Sequence, residues 1–303
     1  MRERHPSQGA ADREPARAPS LLIAGAVTRD RFADERRPGG AVLYAARAAA
    51  ALGLRARILA LAGPDADLEA LGGHDVTLVA SPHTLTFVHM FSTESVSTRK
   101  LRVVARPGRV LSASDLPATH EDQDELDLLV LTPLLPDDLD IASFAGVRAR
   151  RRALLAQGLL REVGADGLVG HADEPPPALR AAIDARTSVF LSEDEMAGWA
   201  PGALASLAAA AERVVVTRGA RGATILRGET RIETSARAAE AVDSTGCGDI
   251  FSIAYMIALA QGADDAQAAA TGAELASAAL GLRGAQPLPR IRSDLRSEAH
   301  AGV

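Results

Sequence analysis

The segment AVDSTGCGDIFSIAYMIALAQG (241–262) carries the residues best suited to do chemistry. An apolar run ends at Val242 as a strand, and a turn with two glycines follows. The apolar positions Ile250, Phe251, Ile253, Ala254, Met256, Ile257 and Leu259 then predict a helix that opens at Asp249 and is buried on nearly every side. The first amides of a helix have no partner within it. Gly246, Cys247 and Gly248 present theirs at the positive helix end with almost no side chain in the way, which suits a phosphate or negative charge developing in a reaction. Asp249 stands beside that turn, where an ionised carboxylate is able to take the proton of a hydroxyl as it attacks phosphorus. The plainer alternative is that Asp249 complements the helix dipole and the glycines only shape a turn. Residue types and spacing leave both open.

These groups need a scaffold to hold them. SLLIAGAV (20–27) and ARILALAG (56–63) read as buried strands, and AVLYAARAAAALG (41–53) as a helix between them with Gly53 as its C-terminal cap. From 127 onward DLLVLT (127–132), RRALLA (151–156), TSVFLS (187–192) and RVVVT (213–217) alternate with helical stretches, a pattern that predicts a parallel sheet covered on both faces. Between 74 and 104 the pieces are short and β-branched, and they predict a small appended sheet. RVVVTRGARGATIL (213–226) predicts a hairpin, and two helices, 249–261 and about 264–281, close the fold.

Composition narrows the function classes. The 303 residues carry a net charge of −6, which speaks against a nucleic-acid surface. No apolar stretch reaches the ~20 residues needed to cross a bilayer. A single cysteine, Cys247, excludes an internal disulfide and suits a reducing compartment, so the expected location is cytoplasmic. Residues 1–18 mix charges with Pro and Gly and lack an apolar leader core, so they are expected to be a disordered tail. One domain over 19–290 and a flexible tail over 291–303 account for the rest. The seven histidines show no metal spacing, and His83 and His89 read as incidental. A helix start lowers thiol pKa and so invites a redox role for Cys247, but a small residue filling the turn is the simpler account. A dinucleotide site fails because neither GCGDIF nor GARGAT completes G-x-G-x-x-G, and no Walker-type G-x-x-x-x-G-K-[ST] is present.

VDSTGCGDIF (242–251) is very similar to the D-[ST]-T-G-[AC]-G-D-x-F signature of the PfkB, or ribokinase-like, carbohydrate kinases, and the resemblance extends over nearly all of 20–286. It implies an α/β fold, a three-layer αβα sandwich with a mostly parallel central sheet and a small β lid over 74–104. It also implies ATP with Mg2+ as phosphoryl donor, a response to K+, and a sugar or polyol as acceptor, in a monomer or homodimer. By the resemblance Asp249 is the catalytic base, and Gly246, Cys247 and Gly248 form the anion hole. GAVTRD (25–30) resembles the opening strand with its substrate-binding aspartate, Asp30, and Gly39 and Gly40 match a di-glycine that packs under the sugar. TFVHMF (86–91) resembles a lid strand, bringing Phe87 to the substrate. LSEDE (191–195) resembles an N-x-x-E element, with Glu195 organising magnesium and Ser192 in the place of the asparagine, a departure that puts metal organisation in doubt. VVVTRGARGAT (214–224) resembles the nucleotide-binding hairpin, which implicates Thr217, Gly219 and Gly222, with Asp243 and Thr245 from the signature.

Ala41 and Val42 replace the more polar residues of ribokinase, which argues against ribose. AQGLLR (156–161), with Arg161 facing either solvent or substrate, SDLP (114–117) and TFVH are reminiscent of the myo-inositol-kinase-like branch. Two other functions remain. A nucleoside kinase of the same family needs aromatic partners for a base, and six Phe, two Tyr and one Trp make these scarce. A non-catalytic sugar- or nucleotide-binding regulatory protein has no need for the intact Asp249 and glycines.

Overall fold

The computed structural model describes residues 17–33, 35–91, 99–118 and 125–291, so the tails expected at 1–18 and 291–303 lie almost wholly outside the described residues. The chain enters as β1 (Leu21–Ala26), doubles back through β2 (Thr28–Arg31) and β3 (Arg36–Gly39) into helix α1 (Ala41–Ala51), and continues as β4 (Arg57–Ala62) and β5 (Asp75–Ala80). There follow β6 (Leu85–Phe91), β7 (Arg99–Ala105), β8 (Leu126–Thr132), β9 (Ala149–Leu155), β10 (Arg161–Val163) and β11 (Leu168–His171). Helix α2 (Pro177–Ala181), β12 (Thr187–Ser192), α3 (Ala203–Ala210) and β13 (Arg213–Thr217) lead to β14 (Ala223–Arg227) and β15 (Thr230–Thr234). Two long helices, α4 (Cys247–Ala260) and α5 (Asp265–Leu280), end the described fold.

Nine strands form a large sheet in the order β15-β14-β13-β12-β9-β8-β1-β4-β5. From β13 to β5 every pairing is parallel, and only β14 and β15 run antiparallel at one edge. This is the expected large, mostly parallel sheet. Its central strands are apolar runs because both faces are covered, as the unbroken burial of Leu21–Ala26 illustrates. Helix α4 packs against both α1 and α5 and reaches β8 and β9, and its residues Ile250–Leu259 are all buried. The fully buried Arg213 at the start of β13 ties this layer to the sheet, pairing with Glu212 at 2.9 Å and with Asp265 of α5 at 3.2 Å. Asp265 also accepts from the Tyr255 hydroxyl.

Six strands form the second sheet, in the order β10-β11-β7-β6-β2-β3. It is not the contiguous 74–104 insertion expected from the sequence. β5, within that range, belongs to the large sheet, beside β4, and the small sheet draws its strands from three separate stretches of the chain. The confusion has a physical cause. β5 is an edge strand whose burial is broken, Val79 inside and Leu78 half exposed, so it resembles a strand of a one-sided sheet.

Two other expectations are corrected. No strand precedes the signature turn: residues 235–242 are irregular, and exposed Val242 donates its amide to the carbonyl of Leu280. Helix α4 also begins at Cys247, not at Asp249, so Gly248 and Asp249 lie within its first turn.

Candidate active site

The carboxyl ends of β9, β12 and β13 and the start of α4 surround a cavity of about 110 Å³ lined by Gln157, Ser192, Glu195, Thr217, Gly248 and Asp249, among others. Parallel sheets bind ligands at this edge because the loops leaving neighbouring strands diverge there and open a crevice.

Gly246 caps α4 with φ 77°, a left-handed conformation that only glycine adopts without strain. A Cβ there would fall inside the ring of Tyr44 on α1, so this glycine seats the start of α4 on α1. The Cys247 amide donates to the Ser244 carbonyl at 3.3 Å, whereas those of Gly246, Gly248 and Asp249 have no partner among the described residues. Of the three amides of the expected anion hole, those of Gly246 and Gly248 are thus open and that of Cys247 is taken, with the Asp249 amide open beside them. A Cβ on Gly248 would meet nothing within 4 Å, so a side chain at that position would fill the space for an anion without crowding the turn itself.

Asp249 lines the cavity with part of its surface open to it. Burial, reinforced by the Glu195 carboxylate and partly offset by the Arg161 guanidinium, raises its carboxyl to about 7. A base with that proton affinity is matched to neutral pH.

The Cys247 thiol is pushed the other way from a reactive cysteine. Burial, then Asp243 and Asp249, raise it to about 12 against a smaller opposing effect of Arg47. Cys247→Ala is expected to keep most of the activity, and wild type to resist alkylation at neutral pH. A ~100-fold loss in kcat, the scale of removing an oxyanion donor, would assign the sulfur a direct role.

A chain of hydrogen bonds connects the cavity to the small sheet. The Ser192 amide donates to Glu195 Oε2 at 2.8 Å, and Gln157 Nε2 donates to Glu195 Oε1 at 2.9 Å. Gln157 Oε1 in turn accepts from Arg161 Nη2 at 2.8 Å. Arg161 Nη1 donates to the Leu134 carbonyl at 2.7 Å, and the guanidinium lies 4.9 Å from the centre of the Phe87 ring. The buried Arg161 therefore belongs to the site wall and does not face solvent. Behind it, buried Asp138 accepts twice from the Leu134 amide and fixes that loop. Glu195 is also buried, which departs from the solvated acidic run its neighbours suggest.

Among the described residues no group of three His, Cys, Asp or Glu side chains forms a metal cage. Mg2+ is commonly held by one or two carboxylates together with waters and substrate phosphates, and Glu195 facing the cavity beside Asp249 fits that mode.

The small sheet lies beyond Arg161, which joins it to the cavity lining through Gln157. Asp30 on β2 pairs in register with Phe87 on β6 and with Arg37 on β3. Its Oδ1 accepts from the Thr28 hydroxyl at 3.0 Å. Gly39 faces this pair so closely that a Cβ would collide with the Asp30 carboxylate, and Gly40, with φ 99°, would bring one to 2.5 Å from the Ala26 carbonyl. The di-glycine is therefore required by the close packing of β3 and α1 on β1 and β2. His89, read as incidental from the sequence, is buried on the same face with Nε2 3.5 Å from Asp30 Oδ2. Period-two alternation along TFVHMF puts Phe87 and His89 on one face, and that signal was available without the structure.

Thr217 lines the cavity, and its hydroxyl donates to the Leu191 carbonyl at 3.4 Å. Gly219 and Gly222, both at positive φ, shape the tight turn between β13 and β14. Asp243 is a latch: Oδ1 accepts from the Thr245 amide at 2.9 Å, and Oδ2 from Arg37 at 2.9 Å and the Gly284 amide at 3.1 Å. Burial opposes its charge, but these donors prevail and hold the carboxyl below its ordinary range. Protein groups thus engage both of its oxygens.

A family model described as pfkB family carbohydrate kinase matches residues 17–291. No curated protein matches the chain by sequence. Solved structures with the same fold include a pyrophosphate-dependent kinase of the ribokinase family complexed with a pyrophosphate analogue and myo-inositol, with 18% identity over 91% of this chain and 98% of that one and a TM-score of 0.71. They also include fructokinase from Vibrio cholerae bound to fructose, ADP and calcium, with 20% identity, 90% and 97% coverage and a TM-score of 0.70. Ribokinase from Arabidopsis thaliana, complexed with ribose and ATP, has 20% identity, 90% and 96% coverage and a TM-score of 0.67. At these identities the likeness is one of fold.

Proposed function

The chain belongs to the PfkB family of carbohydrate kinases and is a phosphotransferase, and from that membership we propose that it transfers the γ-phosphoryl group of ATP to a hydroxyl of a sugar or polyol. The observation that carries this reading is the Asp249 carboxylate, raised to about 7 in the first turn of a buried helix, beside the partnerless amides of Gly246 and Gly248. Asp249 takes the proton of the attacking hydroxyl, and the amides receive the charge that accumulates on the phosphoryl oxygens. Glu195 would hold Mg2+ through water or phosphate, and the ion would supply neutralisation of phosphate charge. Thr217 and the turn at Gly219 and Gly222 flank the nucleotide. Asp30 and Arg161 orient the acceptor, and the small sheet serves as the lid that excludes water.

A polyol is favoured over a nucleoside by the state of the aromatic rings in the small sheet. His89 and the Arg37 guanidinium each lie 4.3 Å from the Phe32 ring centre, and Arg161 covers Phe87. A base has no vacant ring to stack on among these. The test is to assay the purified chain with Mg2+ and either ATP or pyrophosphate against ribose, fructose, myo-inositol and inosine. ATP-dependent phosphorylation of a sugar or polyol is expected. Turnover of inosine alone would make it a nucleoside kinase, turnover with pyrophosphate alone would change the donor, and no acceptor-dependent turnover would leave the binding-protein reading.

A further inference from the structure

We propose that His89 is a specificity-determining residue of the acceptor site, which together with Asp30 clasps one acceptor hydroxyl distinct from the one that receives phosphate. This rests on the reading that the acceptor is a sugar or polyol. The side chain of His89 is only 3% exposed, and neither of its ring nitrogens has a hydrogen-bond partner among the described residues. Burying a polar group without a partner is costly, so two bare nitrogens on one imidazole point to a group that arrives with a ligand.

The surroundings are built to hold that group. Nε2 lies 3.5 Å from Asp30 Oδ2 with no hydrogen bond between them, while the other carboxylate oxygen is already taken by Thr28. Gly39 keeps a side chain away from Oδ2, since a Cβ there would come within 2.4 Å of it. The imidazole is stacked on Phe32 with an interplanar angle of 23°, and Arg37 lies on that same ring, so the plane of His89 is set before a ligand enters. A hydroxyl supplies one donor and two acceptor lone pairs. Seated to one side of this pair, within reach of both atoms, it donates to Asp30 Oδ2 and accepts from Nε2–H, satisfying both. Nδ1 remains for a neighbouring hydroxyl, so acceptors with adjacent hydroxyl groups are favoured over those with isolated ones.

The test compares wild type, His89→Leu and His89→Gln with ATP and Mg2+ against ribose, fructose and myo-inositol, and then against monodeoxy forms of whichever is phosphorylated. For His89→Leu the KM for the acceptor is expected to rise about tenfold or more while kcat and the KM for ATP change little, since the hydroxyl is remote from the reacting atoms. His89→Gln, which keeps an N–H donor, should recover part of the loss. The deoxy acceptor that lacks the clasped hydroxyl should be poor with wild type and no poorer with His89→Leu. An unchanged acceptor KM in His89→Leu overturns the proposal and leaves the kinase reading intact, with a water as the occupant of that position. Loss of melting temperature and of all activity in both variants also overturns it, making His89 a structural residue. If wild type phosphorylates none of the three acceptors, the sugar-or-polyol reading fails, and this proposal with it.

Discussion

Asp249→Asn is expected to lower kcat by ~10²–10⁴-fold, the usual contribution of a general base, with nucleotide affinity nearly unchanged. Asn keeps the size of the side chain and is tolerated in a first helical turn, but it takes no proton. The pH profile adds a second readout. With the carboxyl raised to about 7, mainly by burial and then by Glu195, wild-type kcat/KM should fall by about tenfold per unit as pH drops below about 7, where the base is protonated. That limb should be missing from the residual activity of the variant.

Stability should move the opposite way to activity. A carboxyl whose folded pKa lies above its unfolded value binds more protons in the folded state. The contribution of Asp249 to stability therefore falls as pH rises from about 4 to about 7, and the ionised form costs most above that window. Asp249→Asn removes that cost and should melt no lower than wild type at pH 8. Near wild-type turnover in the variant would make Asp249 a structural residue and sink the mechanism.

Gly246→Ala is the second change expected to be severe, and its cause is geometric. The new Cβ would lie inside the Tyr44 ring, and φ of 77° is a left-handed conformation costing an L-residue ~1–2 kcal/mol. Overpacking adds ~1–3 kcal/mol. For a domain of this size the sum corresponds to a fall of roughly 4–9 °C in melting temperature. The protein is also expected to lose about 100-fold in kcat, because relief of the clash shifts the first turn of α4, which carries Asp249 and the open amides, and small misplacements of that kind are costly. Shrinking the opposing ring separates the two causes. Tyr44→Ala is itself destabilising, but if sterics dominate, the double variant should lose much less than the sum of the single changes. Strict additivity would mean that the backbone strain at Gly246 alone is responsible.

Much of this protein is readable from its sequence because it depends on local pattern. The apolar runs of β1, β4, β8, β12 and β13 are strands that stay buried on both faces over most of their length in a parallel sheet, and near-continuous burial leaves a near-continuous apolar record. Helix α4 reads as central for the same reason, being apolar on all sides. Asp249 and the two glycines stand out because a helix start with bare amides requires small residues and tolerates an acid.

The remainder depends on contacts between residues far apart in the chain, which period and composition do not encode. Whether β5 pairs with β4 or joins the small sheet is decided by which edge is free, and an edge strand carries the same broken alternation in either place. Glu195 sits in an acidic run that reads as solvated, yet the Ser192 amide and Gln157, 38 residues away, hold its carboxylate inside the cavity. Asp243 reads as a signature residue for the ligand, and Arg37 and Gly284, far from it in the chain, both donate to its Oδ2. His89 is a lone histidine on a strand until β2 brings Asp30 to it and Phe32 stacks against its ring. Burial and pairing of charged and polar side chains are properties of the assembled fold: the energy of each group depends on partners brought by other elements, and no local stretch of sequence contains them.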